Sequence, residues 1–277
     1  MSSRVTIALV LFALLLTGCY EMIAWSPDGR YLAFVGPGDM KLWPWDTETS
    51  QTTMLSDKEI LACKYLNGGE AILLAKQHGQ SDEYLDLVQL DLKSGDLTRL
   101  AEKTLAYSYD VSNDGKRLYY ITERFPENLP YRTSEIHERT LGDSSADMVL
   151  LEQKETIGFV SVAPRTRRIL FTNAEPEIKV SGSEREAAEA VLLLDADSGA
   201  IETILTGPPG RSLWWPTWLD EERVIYLLDT EESDEVGVLY AYSMKTQKSI
   251  KLLEHIQLMV RPSVSPDGKT VAVTAMP

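Results

Sequence analysis

The sequence predicts an all-β protein assembled from repeated hairpins, and three observations lead to this fold class. The first is a phrase in which an apolar residue precedes Ser-Pro-Asp-Gly and a short apolar strand, found at 25–34 and again at 264–273. Each copy predicts a strand end, a tight turn and a second strand, because Asp and Gly tolerate the left-handed backbone that tight hairpins require. Looser copies follow the same pattern, beginning at Leu66, Ser112, Ala163 and Leu219.

The second observation is the spacing of these turns. From Ser26 to Ser265, successive copies are separated by 40, 46, 51, 56 and 46 residues. The third is another hairpin that recurs within the first five units, most clearly at 87–98 and 191–201. Two hairpins make four strands, and a repeat of this length is typical of one four-stranded propeller blade. The sequence therefore predicts an all-β propeller of about six blades.

The sixth unit is expected to be incomplete. Only two predicted strands, at 259–265 and 270–275, belong to it before Pro277. The expectation is therefore 22 strands, in five four-stranded blades and a two-stranded sixth. An unpaired strand edge invites a strand from a partner or from a second copy. A truncated reading frame is the alternative explanation for the missing strands.

The Ser-Pro-Asp-Gly turn followed by a short apolar strand resembles the TolB-type, WD40-like propeller repeat. The resemblance covers nearly all of the chain after residue 20, and two of the six copies match it closely. It implies a binding scaffold rather than a particular reaction.

The N-terminal segment predicts export. A single positive charge, Arg4, precedes an apolar run of 12 residues from Val5 to Leu16. Such a run is too short to span a bilayer and has the form of a secretory signal. Leu-Thr-Gly stands directly before Cys19. This ending resembles the bacterial lipoprotein signal, in which the cysteine is lipidated and becomes the first residue of the mature chain. An ordinary signal peptide with an accidental cysteine is the alternative.

The lipoprotein resemblance implies a signal peptide over residues 1–18, a propeller domain over 19–277 and a membrane anchor at Cys19. Tyr20, rather than Asp, follows the cysteine. In the lipoprotein pattern this favours the outer membrane of a Gram-negative cell, with the protein facing the periplasm. In a host with one membrane, the anchor would lie in that membrane.

The composition narrows the expected partners. The chain has 27 Lys and Arg against 42 Asp and Glu, a formal net charge of −15. This argues against nucleic-acid binding and against an electrostatic grip on anionic lipid, because both need a cationic surface. We therefore expect an envelope protein or peptide as partner, no nucleic acid, and attachment to the membrane through the lipid.

No cofactor, metal or disulfide is predicted. With Cys19 lipidated, Cys63 is the remaining thiol, so no internal disulfide can form. Cys63 lies in an apolar stretch and is expected to be buried. The acidic run at 229–235 lacks the spacing of a calcium-binding loop.

The connections between the predicted strands fall into two groups. In an antiparallel meander, the turns from strand 1 to 2 and from strand 3 to 4 of a blade share one end, which we call the turn end. The remaining connections share the opposite end, the loop end, and are longer, notably at 123–137, 173–189 and 229–237. Long loops on a rigid scaffold commonly carry function. The loop end is therefore the predicted binding surface.

The candidate contact residues at the loop end are Arg124, Tyr131, Arg132, Arg211 and Trp214. The first three lie in a segment that mixes aromatic residues, arginines and prolines, a composition enriched in interaction surfaces. A plain insertion is the alternative for that segment. For Trp214, within the aromatic cluster 213–218, core packing is the first interpretation and a stacking surface at the channel mouth is the second.

Two functional hypotheses remain open. The first is a lipid-anchored envelope propeller that binds a protein or peptide. The second is a propeller enzyme, a hydrolase or lyase, that acts on an envelope glycan or a small molecule. The sequence has no Gly-x-Ser-x-Gly elbow and no paired histidines at metal-binding spacing, so the first hypothesis is preferred.

Overall fold

The computed structural model describes residues 6–9, 23–35, 41–52, 54, 61–79, 81–105, 108–124, 133–142, 147–154, 156–173, 189–230, 233–258 and 260–273. In this part of the chain the strands form five antiparallel four-stranded sheets and one three-stranded sheet. The predicted β-propeller with an incomplete sixth blade is confirmed. No helix among the described residues has the length and apolar character needed to cross a membrane.

The chain divides into two compact units, and unit 1 comprises residues 1–107, 113–116 and 259–277. Blade 1 has strands β2 (Ile23–Trp25), β3 (Tyr31–Val35), β4 (Leu42–Asp46) and β5 (Gln51–Thr52). Blade 2 has strands β6 (Ala62–Leu66), β7 (Ala71–His78), β8 (Ser81–Asp91) and β9 (Leu97–Leu105). Blade 6 has strands β22 (Ser263–Val264) and β23 (Thr270–Val273), joined by β1 (Thr6–Leu9).

The third strand of blade 6 corrects the expectation of two strands there and of 22 strands in total. Strand β1 runs parallel to β23, with Thr6 opposite Thr270 and Leu9 opposite Val273. The described residues therefore form 23 strands. The outer edge of β23 offers unpaired main-chain groups, and an extended segment of the same chain can pair with them. Residues 6–9 lie within the predicted signal peptide, outside the predicted propeller domain.

Unit 2 comprises residues 108–112 and 117–258. Blade 3 has strands β10 (Tyr109–Val111), β11 (Arg117–Arg124), β12 (Thr133–Thr140) and β13 (Asp147–Gln153). Blade 4 has strands β14 (Gly158–Val162), β15 (Arg168–Thr172), β16 (Ala190–Asp195) and β17 (Ile201–Thr206). Blade 5 has strands β18 (Leu213–Trp218), β19 (Arg223–Thr230), β20 (Ser233–Ser243) and β21 (Lys248–Gln257).

The recurring Ser-Pro-Asp-Gly phrase is explained by hydrogen bonds within the turn. In blade 1, the Ser26 hydroxyl donates to Asp28 Oδ1 (2.5 Å) and accepts from the Tyr31 amide (2.8 Å), and Gly29 takes a φ of 73°. The amide of Arg30 also donates to Asp28 Oδ1 (3.0 Å). The donated hydrogen bonds lower the pKa of Asp28. Serine, aspartate and glycine are thus each required by the turn itself.

The same turn recurs in blade 6. The Ser265 hydroxyl donates to Asp267 Oδ1 (2.8 Å) and accepts from the Thr270 amide (2.9 Å). Hydrogen bonds from Ser265 and Lys269 lower the pKa of Asp267 to about 2. The phrase is therefore a folding signal of the hairpin and carries no ligand chemistry of its own.

In unit 1 the turn ends of three blades lie side by side. A Cβ atom on Gly29 of blade 1 would lie 4.0 Å from Pro266 Cδ of blade 6, and one on Gly69 of blade 2 would lie 3.6 Å from Pro27 Cδ. Strand β2 also contacts both β22 and β6. The first strands of these three blades therefore run in the same direction, and their loop ends share one side of unit 1.

Each unit has its own apolar core. In unit 1, Ile23, Leu32, Leu42, Ile72 and Leu74 are among the buried members of one cluster, which also contains Cys63. Cys63 is fully buried, as expected. In unit 2, residues of blades 4 and 5 pack together, including Leu170, Val191, Leu213, Trp218 and Val224.

Candidate functional site

The structure describes three of the five candidate contact residues. Arg124, Arg211 and Trp214 lie in unit 2, the first in blade 3 and the other two in blade 5. Cys19, Tyr131 and Arg132 lie outside the described residues, so their roles stay predictions.

Strand β12 of blade 3 combines polarity with burial. Its residues from Thr133 to Glu138 are all buried, and five of these six are polar or charged. Glu135 is 2% exposed and His137 is 9% exposed. Carboxylates are rarely buried to this extent unless they are paired. A group that compensates the charge of Glu135 is therefore expected next to it.

A cation at the loop end compensates the charge of Glu135. Arg124, the last residue of β11, places Nη2 3.0 Å from Glu135 Oε2, and His137 Nε2 lies 3.1 Å from the same oxygen. The Arg124 side chain is 64% exposed, whereas that of Glu135 is 3% exposed. Among the described residues Glu135 Oε2 accepts no hydrogen bond, so Arg124 and His137 act on this oxygen electrostatically.

His137 is fixed on both sides of its ring. Its Nε2 lies 2.8 Å from the Thr122 hydroxyl, and its ring stacks on Tyr120 with 4.9 Å between centroids and 6° between planes. Tyr120 donates its hydroxyl hydrogen to Asp147 Oδ2 (2.5 Å), and Asp147 Oδ1 lies 3.7 Å from His137 Nδ1. Together, Tyr120, Thr122, Arg124, Glu135, His137 and Asp147 form what we call the blade 3 polar cluster.

Burial shifts the pKa values of the histidine and the tyrosine in this cluster. It lowers the pKa of His137 and outweighs the opposing effect of Asp147 and Glu135, so the imidazole is neutral at pH 7. Burial, followed by the hydrogen bond to Asp147, raises the pKa of Tyr120. A neutral imidazole, a buried carboxylate and an exposed guanidinium thus stand next to one another. Such groups can donate, accept and transfer protons, and perturbed groups of this kind concentrate at functional sites.

Arg211 makes a different arrangement at the loop end of blade 5. Its Nε donates to Asp229 Oδ1 (2.8 Å), while Asp229 Oδ2 accepts from the Ser212 amide (3.0 Å). Both side chains are 20% exposed. Asp229 therefore ties the connection before β18 to the end of β19. Arg211 is engaged mainly in this clamp, whereas most of the Arg124 side chain faces water.

Trp214 is packed inside unit 2. It is 4% exposed, and its ring centroid lies 6.0 Å from that of Phe159. Phe159 also contacts Trp215, with centroids 4.0 Å apart, and Trp215 Nε1 donates to the Leu258 carbonyl (2.6 Å). The described geometry favours core packing for Trp214, which the sequence put first, over a surface for stacking ligands.

Phe159 and Trp215 have unusual backbones. Their φ values are 33° and 51°, and each lies at an irregularity in the pairing of the first strand of its blade, β14 or β18. β-Bulges re-aim side chains. Here they bring two large rings from neighbouring blades into contact.

The sequence reasoning missed Glu135, His137, Thr122 and Asp147 as parts of one site. It considered histidines only as possible metal ligands and found none paired at metal-binding spacing. A signal was present, because the third strand of blade 3 is mostly polar whereas the third strand of blade 4 is apolar between Val191 and Leu194. Aligning whole blades, rather than turns, would have identified it. Within the described residues, no group of three or more His, Cys, Asp or Glu side chains is placed to hold a metal ion.

Comparison with solved structures identifies the fold. The chain is similar to a protein described as TolB from Agrobacterium tumefaciens, with a TM-score of 0.68, 16% identity and coverage of 93% of this chain and 90% of that one. It is also similar to TolB from Acinetobacter baumannii, with a TM-score of 0.57, 16% identity, and coverage of 91% of this chain and 56% of that one.

An enzyme has a similar fold. Oligogalacturonate lyase from Vibrio parahaemolyticus matches with a TM-score of 0.61 and 16% identity, over 91% of this chain and 69% of the lyase. No family model and no curated protein matches the chain. The similarity to solved structures establishes a TolB-like β-propeller fold.

Proposed function

We propose that this protein is a lipid-anchored β-propeller of the cell envelope that binds a protein or peptide through the loop ends of its blades. The blade 3 polar cluster is the observation that carries the proposal. It places ionisable side chains beneath an exposed arginine at the loop end, where the sequence predicts recognition. Burying charged groups costs free energy, so binding is a reason for this chain to keep them.

The anchor rests on Cys19 and the apolar run before it. Replacing Cys19 by Ser should abolish acyl labelling and release the protein from membranes. A variant that still sediments with membranes at high salt would refute the anchor. Processing before Cys19 would also remove β1 and leave β23 with β22 as its partner in blade 6.

The binding surface is tested with purified full-length lipidated protein and envelope extract. Arg124→Ala should weaken recovery of a stoichiometric partner, because it removes the exposed cation of the cluster. Tyr131→Ala and Arg132→Ala should also weaken it. Lys116→Ala and Lys93→Ala, at the turn ends of blades 3 and 2, are the matched controls. The face assignment would be wrong if the control substitutions weakened recovery more than Arg124→Ala did.

The alternative function is catalysis on an envelope glycan or a small molecule. It is favoured by the 2.8 Å separation between His137 Nε2 and the Thr122 hydroxyl, with Glu135 beside them, since a neutral histidine can act as a general base. The fold of a lyase is similar. Turnover of acidic oligosaccharides that His137→Gln abolishes, and that Lys116→Ala leaves unchanged, would favour this alternative over a binding scaffold.

A further inference from the structure

The direction of the first strand of blade 1 determines how a lipid anchor would orient the protein. Strand β2 begins at Ile23 and ends at Trp25, immediately before the Ser-Pro-Asp-Gly turn. Because that turn lies at the turn end, Ile23 lies at the loop end of blade 1. A chain entering from Cys19 therefore reaches the blade at its loop end.

The tether between the anchor and the blade is short. Three residues, Tyr20, Glu21 and Met22, separate Cys19 from Ile23. Four Cα-to-Cα steps span at most about 14 Å when fully extended. Ile23 is 5% exposed and belongs to the core cluster of unit 1, so the start of β2 is fixed within the unit. The loop end of blade 1 would thus be held within about 14 Å of the lipidated cysteine.

The neighbouring blades of unit 1 share this orientation. The turn ends of blades 6, 1 and 2 lie side by side, because a Cβ atom added to Gly29 would lie 4.0 Å from Pro266 Cδ and one added to Gly69 would lie 3.6 Å from Pro27 Cδ. Their loop ends consequently lie on the other side of unit 1. His78 lies at the loop end of blade 2, where its Nδ1 is 2.7 Å from Asp86 Oδ1.

We infer that the loop ends of blades 1, 2 and 6 face the bilayer, so that the partner bound there is a membrane-embedded protein. This inference rests on the lipid anchor of the proposed function. A folded domain of 100 residues has a radius of gyration of about 13 Å, so a soluble domain does not fit into a gap of about 14 Å. The lipid surface itself is a poor occupant, because the chain has a net charge of −15 and gains nothing from anionic lipid.

The orientation is tested with one fluorescent probe at each end of blade 2. Gln77 is exposed near the loop end and Lys93 is exposed in the turn between β8 and β9. Leu85, the register partner of Gln77, precedes Lys93 by eight residues, which is about 27 Å of extended strand. Gln77→Cys and Lys93→Cys would each be labelled in the lipidated full chain. Cys63 is fully buried and gives little background.

The labelled proteins are reconstituted in phosphatidylcholine vesicles that contain an acceptor-labelled lipid. Energy transfer from the probe at residue 77 should exceed that from the probe at residue 93 by about threefold or more, given their separation along the blade. Inserting about 20 Gly and Ser residues after Glu21 should remove most of this difference, because such a linker spans about 25 Å on average.

The outcomes separate this inference from the proposed function. If Cys19 carries lipid but the probe at residue 93 transfers as much energy as the probe at residue 77, the orientation is wrong and the anchor stands. If Cys19 carries no lipid, the anchor and the orientation both fail. In a parallel sample the Gln77→Cys thiol carries a cross-linking reagent in place of the fluorophore. A partner captured there that remains soluble after the membranes are removed would overturn the partner class.

Discussion

Blades 3 and 4 pair their second and third strands in the same register but fill equivalent positions with different chemistry. In blade 3, Tyr120 lies opposite His137. In blade 4 the corresponding pair is Phe171 and Leu192. Blade 3 therefore has a stacked, hydrogen-bonded histidine at a position where blade 4 has a leucine. The two blades are neighbours, because their first strands contact one another.

The next pair along the strands repeats the difference. Thr122 lies opposite Glu135 in blade 3, whereas in blade 4 Asn173 pairs with Ala190 through the Asn173 amide and through Asn173 Oδ1. Blade 4 shows that this architecture forms without a buried carboxylate or imidazole. The polar residues of blade 3 are therefore not a requirement of the fold, and they cost desolvation free energy that blade 4 avoids.

Removing the exposed cation should produce the largest change in stability. Arg124→Ala leaves the Glu135 carboxylate buried beside a neutral histidine, and we expect a loss of about 2 kcal/mol in the free energy of unfolding. This is less than the loss for a fully buried pair, because water screens the exposed guanidinium. Urea denaturation measures it, with Lys116→Ala as the control. An unchanged midpoint would mean that Arg124 does not compensate Glu135.

Introducing the tyrosine of blade 3 into blade 4 should destabilise the protein, and a second substitution should restore part of the lost stability. Phe171 is fully buried, and Phe171→Tyr would introduce a hydroxyl without the acceptor that Asp147 provides to Tyr120. Ile201 pairs with Leu194 as Asp147 pairs with Arg139, so it occupies the equivalent position. We expect a loss of about 1–2 kcal/mol for an unsatisfied hydroxyl, measured by urea denaturation.

Adding Ile201→Asp to Phe171→Tyr should recover part of that loss, because it supplies an acceptor at the blade 3 position. Ile201→Asp alone is the matched control in a double-mutant cycle. A coupling free energy of zero would contradict the equivalence of the two positions.

Acidification should lower the free energy of unfolding more in the unmodified protein than in a variant that lacks His137. The pKa of His137 is lowered in the folded state by burial, so the unfolded chain takes up the proton first. Stability from this group is complete above the unfolded pKa of about 6.5 and is lost as the pH falls below it. Urea denaturation at pH 7.5 and 5.5 should show a smaller decrease for the double variant Glu135→Ala, His137→Leu. An equal decrease in both proteins would exclude His137 as the source of the pH dependence of stability.

The same double variant should have the smallest effect on stability at neutral pH. It installs in blade 3 the residues that blade 4 has at these positions, and it removes both partners of the buried pair at once. We expect a change within about 1 kcal/mol in either direction, whereas recovery of the partner should be lost. A variant that unfolds would show that blade 3 has come to depend on its polar residues.

Local turn chemistry made much of the fold predictable. The hydrogen bonds of Ser26 and Asp28 are confined to six consecutive residues, so the phrase could be read without tertiary information. The spacing of such turns then predicted the number and length of the blades. The site was less accessible, because the contact between Arg124 and Glu135 depends on the register of β11 with β12 across a long connection. The burial of Trp214 against Phe159 likewise depends on two blades meeting.

The pairing of β1 with β23 has a consequence for the order of folding. Each four-stranded blade joins strands that follow one another in the chain, so it can form from local contacts as the ribosome releases it. Strand β1 meets its partner only across the separation between Thr6 and Thr270. Blade 6 is therefore the last sheet that can be completed during synthesis. The parallel pair can form only once residues 270–273 have been made, so the N-terminal strand must stay available until synthesis is nearly complete.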